Sequence, residues 1–156
     1  MNKKTLITYG TFDLLHTGHL NLLEKLKAMC DTLIVGVSTD EFNALKGKKC
    51  IVPYADRARL VKALSVVDYV IPETHWEQKR VDIIKYQASM FAIGNDWAGK
   101  FDDLQDIVQV LYLPRTEGIS TTEIKDIISK SKDEKILSIR NTLQHALSLL
   151  DAVDVK

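Results

Sequence analysis

Two histidines that are separated by two residues are the strongest indication of catalytic or binding chemistry in this sequence. They are His16 and His19, in the run His-Thr-Gly-His. Gly18 lets the backbone come close to a ligand, and a helix that begins near it would present unpaired N–H groups and the positive end of its dipole. An anion is the natural ligand of such a junction, and both imidazole rings could face a phosphate bound there.

A structural role is the alternative for each histidine taken alone, with His19 as a capping or packing residue and His16 on a surface loop. The flanking pattern favours chemistry. A short β-prone run at residues 5–9 precedes the motif, and apolar residues at the spacing of a buried helix face follow it. These are Leu22, Leu23, Leu26, Met29 and Cys30. The sequence therefore predicts a strand, a loop and a helix, with the histidines at the join.

A second group of hydrogen-bond donors begins at Arg115. Gly118 and three hydroxyl residues at 120–122 follow it and lead into another helical pattern. Ser120 or Thr121 would cap that helix, with Glu123 available for a capping box. Capping explains the hydroxyls but not the arginine and the glycine, so we interpret this segment as a second helix start that binds an anion.

Apolar runs alternate with helical patterns along most of the chain. The alternation predicts an α/β fold, a Rossmann-like open parallel sheet of about five strands with flanking helices. Ligands gather at the carboxyl ends of such strands, so the two helix starts are expected to converge on one crevice. Pro72 is expected to end the third strand, because proline cannot donate to a ladder. The predicted strands are residues 5–9, 32–37, 66–71, 90–93 and 108–113.

The composition is that of an ordinary globular chain of 156 residues, 46% hydrophobic and 27% charged. Its 21 basic residues balance 21 acidic residues, so no overall field would hold it on nucleic acid or on an anionic membrane. The first apolar run is too short for a signal peptide and no stretch approaches a membrane span, so we expect a cytoplasmic protein. Cys30 and Cys50 lack disulfide-framework or metal-site spacing and are interpreted as packing residues.

Four stretches together resemble the cytidylyltransferase family, and closely its bacterial glycerol-3-phosphate branch. The resemblance covers about residues 4–128. It implies a Rossmann-like fold and an enzyme that transfers the cytidylyl group of CTP to sn-glycerol 3-phosphate, giving CDP-glycerol and pyrophosphate for teichoic-acid-like or capsular polymers. The stretches are Tyr9-Gly-Thr-Phe-Asp-Leu-Leu-His16, Ser38-Thr-Asp-Glu-Phe-Asn43, Trp76-Glu-Gln-Lys79 and Leu113-Pro-Arg-Thr-Glu-Gly-Ile-Ser-Thr-Thr122.

The same resemblance implies roles for individual residues. The catalytic set would be His16, His19 and Arg115. Glycerol phosphate would contact Lys46, Trp76 and Lys79, although a solvated loop and a core tryptophan are the structural alternatives for Lys46 and Trp76. CTP would be bound by His16, His19 and Arg115 together with Thr11, Phe12, Lys48, Asp96, Thr116, Gly118, Ile119, Ser120, Thr121 and Thr122.

The expected cofactor is Mg²⁺, held mainly by the CTP triphosphate, because Mg²⁺ keeps several waters and takes few protein carboxylates. No metal site made by the protein itself is expected, although Asp13 is a candidate for an outer-shell contact. The resemblance also implies a homodimer.

One segment departs from the family pattern. Relatives commonly carry Arg-Tyr-Val-Asp where this chain has Ser65-Val-Val-Asp68, and Arg59 or Lys62 could supply the missing charge. Two alternatives therefore stay open. The acceptor could be another phosphorylated polyol, phosphoethanolamine or phosphocholine, or the chain could be a nucleotide-binding regulator without turnover.

The last part of the chain extends beyond the resemblance. We predict a cytidylyltransferase domain at residues 1–130 and a helical extension at 131–156. Apolar residues of the extension recur on one helix face, which we expect to be covered by its own domain, a second subunit or a partner. This face comprises Ile136, Ile139, Leu143, Leu147 and Leu150, widened by Leu137, Ala146 and Leu149.

Overall fold

The computed structural model describes residues 3–153, and side chains up to residue 148. Five strands form one sheet, and every neighbouring pair is parallel. The strands are β1 (Thr5–Gly10), β2 (Thr32–Ser38), β3 (Tyr69–Glu73), β4 (Met90–Gly94) and β5 (Gln109–Leu113). Their order across the sheet is β3-β2-β1-β4-β5.

Helices or 3₁₀ turns lie between the strands, as expected for parallel neighbours, which need crossover connections, and one helix follows the last strand. They are α1 (Thr17–Lys27), α2 (Asp40–Leu45), α3 (Tyr54–Lys62), α4 (Gln78–Lys85) and α5 (Thr121–Val153), with 3₁₀ turns at Asn95–Trp97 and Asp102–Asp106. The predicted open parallel sheet with flanking helices and a C-terminal helix is confirmed.

Both faces of the sheet are buried, because alternate residues of each strand point to opposite sides. Leu6 of β1 packs with Leu23 of α1 in one apolar cluster. Its neighbour Ile7 packs with Ile83 of α4 in the other. Burial on both faces explains why the strands read as continuous apolar runs.

The predicted bounds of the third strand, 66–71, are wrong. β3 spans Tyr69–Glu73 and contains Pro72, which lies opposite Val37 of β2. β3 is an edge strand, where a missing N–H is tolerated, so the proline does not end it. The shift makes Glu73 the last residue of the strand.

No helix is predicted directly after β2, yet α2 begins there. Thr39 caps it, because Thr39 Oγ1 accepts the Phe42 N–H at 3.2 Å. Asp40 and Glu41 complement the positive end of the helix. These signals are legible in the sequence, but six residues are too few to show a helical period. Lys46 is the C-cap of α2, so this short helix positions the first residue of the basic loop.

Residues up to Ile119 form one compact unit, and those from Ser120 form another. The second unit contains α5. Its start agrees with the predicted cap, because the Glu123 N–H donates to Ser120 Oγ at 3.1 Å. The domain boundary predicted at residue 130 falls within this helix and stays a prediction.

The apolar face predicted for the extension lies on α5 and is exposed. Ile136, Leu143 and Leu147 are each more than half exposed. Leu149, Leu150 and residues 154–156 lie outside the part for which side chains are described, and what covers the face stays a prediction. Despite its apolar residues, α5 is not a membrane span, since no helix within residues 3–153 combines the necessary length and hydropathy.

A buried arginine joins the segments at the carboxyl edge of the sheet. Arg57 of α3 is fully buried, and its NH1 donates to the carbonyl oxygens of Thr11 at 2.6 Å and Ser38 at 2.8 Å. Its Nε donates to the Val52 carbonyl at 2.8 Å, and NH2 pairs with Asp40 at 2.6 Å. One planar group therefore fixes the chain after β1, the end of β2 and the approach to α3.

Replacement of Arg57 by methionine should lower the free energy of unfolding by about 3 kcal/mol, because three carbonyl groups and a carboxylate lose their shared donor. Arg57→Lys should recover only part of the loss, since one ammonium cannot reproduce the fork. The measurement is urea denaturation, with Arg59→Met on the exposed side of the same helix as the control. Equal stability of the Arg57→Met and Arg59→Met variants would contradict the assignment.

Candidate active site

The two histidines form the N-terminal cap of α1. His16 is the N-cap residue, and its Nδ1 accepts the Gly18 N–H at 3.0 Å. In return, the His16 N–H donates to Nδ1 of His19 at 3.2 Å. The ring centroids lie 3.9 Å apart. This is a capping box in which two imidazoles take the places that serine and glutamate usually occupy.

Capping fixes the tautomer of each neutral ring. A backbone amide can only donate, so Nδ1 of both His16 and His19 is unprotonated, and the ring proton is carried on Nε2. Burial, together with the neighbouring His16 ring, lowers the pKa of His19 to about 4. His19 is therefore neutral at physiological pH. The predicted pair is thus brought together as two oriented N–H donors beside a helix N-terminus.

The loop before α1 supports the histidine rings. Phe12 is buried with a φ of 53°, and its ring centroid lies 5.3 Å from that of His19. A Cβ on Gly10 would lie 2.8 Å from the Phe12 ring, so glycine is required there. Thr11 donates from Oγ1 to Asn43 at 3.2 Å, and its carbonyl binds Arg57. Thr11 and Phe12 therefore hold the loop in place.

The segment after β5 approaches the start of α1. A Cβ placed on Gly18 would come within 3.1 Å of Cγ2 of Ile119, so these residues are neighbours. Gly118 makes the turn with a φ of +78°, which favours glycine. Thr116 is half-buried in the same segment. Ser120, Thr121 and Thr122 belong to the unit that contains α5, and their predicted nucleotide contacts stay predictions.

Arg115 forms an ion pair with Asp96, which brings together two residues predicted to bind the nucleotide. Asp96 lies in the 3₁₀ turn after β4, and Arg115 lies just after β5. Both side chains are substantially exposed, 69% for Arg115 and 45% for Asp96. Exposed pairs contribute little stability, so the guanidinium can be transferred to a phosphate at small cost.

The two lysines predicted to bind the acceptor share one carboxylate that the sequence analysis did not select. Lys79 of α4 donates to Oε1 of Glu73 at 2.5 Å. The Lys46 ammonium lies 3.6 Å from Oε2 of Glu73 and donates to the Ser38 hydroxyl at 2.9 Å. Ser38 in turn donates to Oε2 of Glu73. The register of the sheet explains the meeting, because Ser38 and Glu73 are opposite one another at the ends of β2 and β3.

Aromatic rings enclose these ammonium groups. The Lys79 Nζ lies 4.7 Å from the ring centroid of Tyr9, 5.1 Å from that of Trp76 and 5.3 Å from that of Phe101. The Lys46 Nζ lies 4.2 Å from the ring of Phe42 and 5.6 Å from that of Trp76. Trp76 therefore borders both cations and remains 41% exposed. Its predicted role as a wall of the acceptor pocket stays a prediction.

Tyr9 is held beside Lys79 by Asp82. The Asp82 carboxylate accepts hydrogen bonds from the Tyr9 hydroxyl at 2.9 Å and from a Gln78 N–H at 2.8 Å. Burial, with the neighbouring Asp82 carboxylate, holds the pKa of Tyr9 far above its usual range. The hydroxyl stays protonated and serves as a fixed donor. Asp82 and Glu73 are charged residues of this region that the sequence analysis missed. A charged residue on a helix face or at a strand end is ordinary, so nothing in the sequence indicated their contacts with Tyr9 and the lysines.

Lys48 lies apart from these contacts. It is exposed and lines a cavity of about 400 Å³ beside α2, with Asp40, Ala44, Gly47, Lys49 and Cys50. Its predicted contact with the nucleotide stays a prediction. Arg59 and Lys62 are exposed residues of α3, and Ser65 is exposed beyond its end. Their capacity to compensate for the missing family arginine is likewise untested.

Asp13 has a structural role that the sequence did not reveal. Its carboxylate accepts the N–H groups of Ile51 and Val52, both at 2.9 Å, and ties the loop after β1 to the segment before α3. Within the described range, no three metal-ligating side chains are grouped. The groups described at the site are imidazoles, a guanidinium and ammoniums, which are suited to anionic phosphate oxygens.

Comparison with known proteins identifies the family. The Cytidylyltransferase-like family model matches residues 7–127. Glycerol-3-phosphate cytidylyltransferase of Bacillus subtilis (strain 168) is 55% identical over 126 residues, which cover 81% of this chain and 98% of the relative. The protein of the same name from Staphylococcus aureus (strain NCTC 8325 / PS 47) is 52% identical over 122 residues, covering 78% of this chain and 92% of the relative.

A solved structure agrees with the fold. The lipopolysaccharide core biosynthesis protein of Thermoplasma volcanium GSS1 superimposes with a TM-score of 0.65 at 25% sequence identity, over 74% of this chain and 100% of that chain. The family model extends from β1 to the beginning of α5 and includes both loops described above. The chain belongs to the cytidylyltransferase-like family.

Proposed function

We propose that this protein is a glycerol-3-phosphate cytidylyltransferase, which converts CTP and sn-glycerol 3-phosphate into CDP-glycerol and pyrophosphate. The observation that carries the proposal is the 55% identity to an enzyme of that name across 98% of its length. The geometry supports it with two groups of anion receptors at one edge of the sheet. A role of CDP-glycerol in teichoic-acid-like or capsular polymers stays a prediction.

The reaction joins two anions. An oxygen of the acceptor phosphate attacks the α-phosphorus of CTP and forms a new P–O bond, while the bond to the bridging oxygen breaks and pyrophosphate leaves. A phosphomonoester is already deprotonated enough to attack, so no strong general base is needed. Alignment and electrostatic stabilisation of the added charge then supply most of the catalysis.

In this proposal, His16 and His19 stabilise the charge that develops on the α-phosphate. Each ring donates from Nε2, and the N-terminus of α1 adds the N–H groups and dipole of its first turn. The capping bonds pre-orient both rings, so they need no reorganisation during the reaction.

The charged side chains divide between the two substrates. Arg115, freed from Asp96, binds the triphosphate of CTP, and Lys46 and Lys79 provide positive charge for glycerol phosphate. The aromatic rings around the lysines restrict the acceptor pocket and limit the access of water. Mg²⁺ bound to the triphosphate would neutralise charge on the departing pyrophosphate. We also propose a homodimer, as the family resemblance implies.

Replacement of His16 by asparagine separates capping from catalysis. The asparagine oxygen can still accept the Gly18 N–H, so α1 keeps its cap, but the Nε2–H donor is lost. We expect kcat/KM to fall about 10²- to 10³-fold with little change in Tm. The measurements are pyrophosphate release and thermal unfolding, with His145→Asn on the exposed surface of α5 as the control. Full turnover by folded His16→Asn protein would rule out the catalytic role.

Substrate choice is tested by pyrophosphate release with Mg²⁺ and each acceptor in turn: glycerol 3-phosphate, glycerol 2-phosphate, ribitol 5-phosphate, phosphoethanolamine and phosphocholine. We expect release only with CTP and glycerol 3-phosphate, none when ATP replaces CTP, and loss of release when EDTA removes the metal. Activity with another acceptor would show that the enzyme is specific for that acceptor instead of glycerol 3-phosphate. If folded protein binds CTP but releases no pyrophosphate with any acceptor, the regulatory alternative would be favoured.

The low pKa of His19 predicts a pH dependence of stability. The folded pKa of about 4 lies below the ordinary value of 6.5, so protonation favours the unfolded chain. The contribution of neutral His19 is therefore present above pH 6.5 and is lost as the pH falls through 4. Between these values, the free energy of unfolding should fall more steeply for the wild type than for His19→Asn. The His19 ring signal in an NMR titration should have its midpoint near 4, and a midpoint near 6.5 would refute the prediction.

A further inference from the structure

Glu73 is the one described carboxylate that the structure pairs with both acceptor-site lysines. It is 3% exposed, at the end of edge strand β3. Its two oxygens face different cations, Oε1 toward Lys79 and Oε2 toward Lys46. A buried carboxylate in contact with two ammonium groups leaves a local excess of positive charge, which is the requirement for binding an anion.

The two lysines are held differently. Lys79 is 2% exposed, its ion pair with Glu73 is only 2.5 Å long, and three rings surround its ammonium. Removal of that ammonium from its carboxylate would leave a buried charge unpaired, which is strongly unfavourable. Lys79 is therefore fixed in place, and Glu73 offsets only part of the positive charge of the two lysines.

Lys46 is held more loosely. Its distance to Glu73 is 3.6 Å, and its direct hydrogen bond goes to the hydroxyl of Ser38 instead. It lies at the C-cap of α2 and is followed by Gly47, whose φ is +69°. Burial lowers the pKa of Lys46, whereas Glu73 opposes that change. Lys46 can therefore turn to an arriving phosphate while the Glu73–Lys79 pair stays in place.

We propose that Glu73 is a positioning residue for the acceptor phosphate: it fixes Lys79 and, through the Ser38 hydroxyl, keeps the Lys46 ammonium in the pocket. Without its charge the two ammoniums repel each other, and Lys46, the one with freedom to move, turns to solvent. The acceptor then loses its mobile cation. The proposal rests on the proposed function, because it assigns the pocket to the phosphate of glycerol 3-phosphate.

Glu73→Gln keeps the shape of the side chain and removes its charge. We expect the KM for glycerol 3-phosphate to rise about tenfold or more, whereas the KM for CTP and kcat at saturating acceptor change less than about threefold. A purely structural role would lower Tm and affect both substrates alike. Glu73→Asp, which restores the charge on a shorter side chain, should recover part of the acceptor affinity. Glu24→Gln, an exposed residue of α1, is the control for removal of a carboxylate.

Ser38→Ala provides an independent test with no change in charge, and it decides the question if the Glu73 variants do not fold. Loss of the hydroxyl should raise the acceptor KM about threefold and leave the KM for CTP unchanged. An unchanged acceptor KM in folded Glu73→Gln protein, or in Ser38→Ala protein where Glu73→Gln does not fold, would overturn the inference. An equal rise for both substrates would do the same.

Failure of the proposed function gives a different result. Wild-type protein that releases no pyrophosphate with CTP and any acceptor contradicts the proposed activity. Glu73 is then judged by calorimetric titration with glycerol 3-phosphate alone. A tenfold weaker Kd in Glu73→Gln, compared with the wild type and Glu24→Gln, supports the inference, and an equal Kd, or no binding by the wild type, refutes it.

Discussion

The carboxyl edge of the sheet depends on the buried guanidinium of Arg57. Strand pairing fixes where β1 and β2 end, but it does not fix the chain beyond those ends. Arg57 binds the carbonyl oxygens of Thr11 and Ser38, and so it joins the loop that leads to the histidines with the strand end that leads to the lysines. Only arginine has donors in a rigid planar fork that can reach several segments at once. A single side chain thereby joins the histidine loop to the strand end beside the two lysines.

The two histidine rings cap helix α1 and also provide the hydrogen-bond donors of the proposed chemistry. Serine or asparagine could also cap α1, but their remaining donors lie close to the backbone and do not extend as far as Nε2 of an imidazole. An imidazole has two nitrogen atoms, so Nδ1 can satisfy the helix N-terminus while Nε2 keeps a proton. The pKa of about 4 for His19 follows from this use, because burial of a ring that already accepts a hydrogen bond disfavours its charged form. The cap therefore sets the ring orientation and the tautomer on which the proposed chemistry relies.

The sequence predicts the fold better than it predicts the polar contacts of the site. Apolar runs separated by helical patterns suffice for the five strands, because both faces of a parallel sheet are buried. The local rule that proline ends a strand fails at Pro72. β3 is an edge strand, where a missing N–H is tolerated, and the sequence does not show which strand lies at the edge. The partners of the histidine cap are only three residues apart, so a local pattern carries it, although the sequence analysis considered capping for His19 alone. The sharing of Glu73 by Lys46 and Lys79 depends instead on the register of β2 and β3. No local pattern encodes such a register.

The two groups of cations differ in how readily they can be transferred to a ligand. Arg115 and Asp96 form an exposed pair, whose exchange for a phosphate costs little because water already competes for both charges. Lys79 and Glu73 form a buried pair that cannot separate without a large loss of stability. In the proposed mechanism, a flexible triphosphate suits the first kind of receptor, because its β- and γ-phosphates must leave as pyrophosphate after the reaction. In the same proposal, a small acceptor suits the second kind of receptor. It makes few contacts, and in a preformed pocket none of their binding free energy is lost in ordering the side chains of the protein. Lys46 lies between these limits: its side chain is only 8% exposed, but its ammonium lies 3.6 Å from Glu73 and donates to the Ser38 hydroxyl, so it is held less tightly than Lys79.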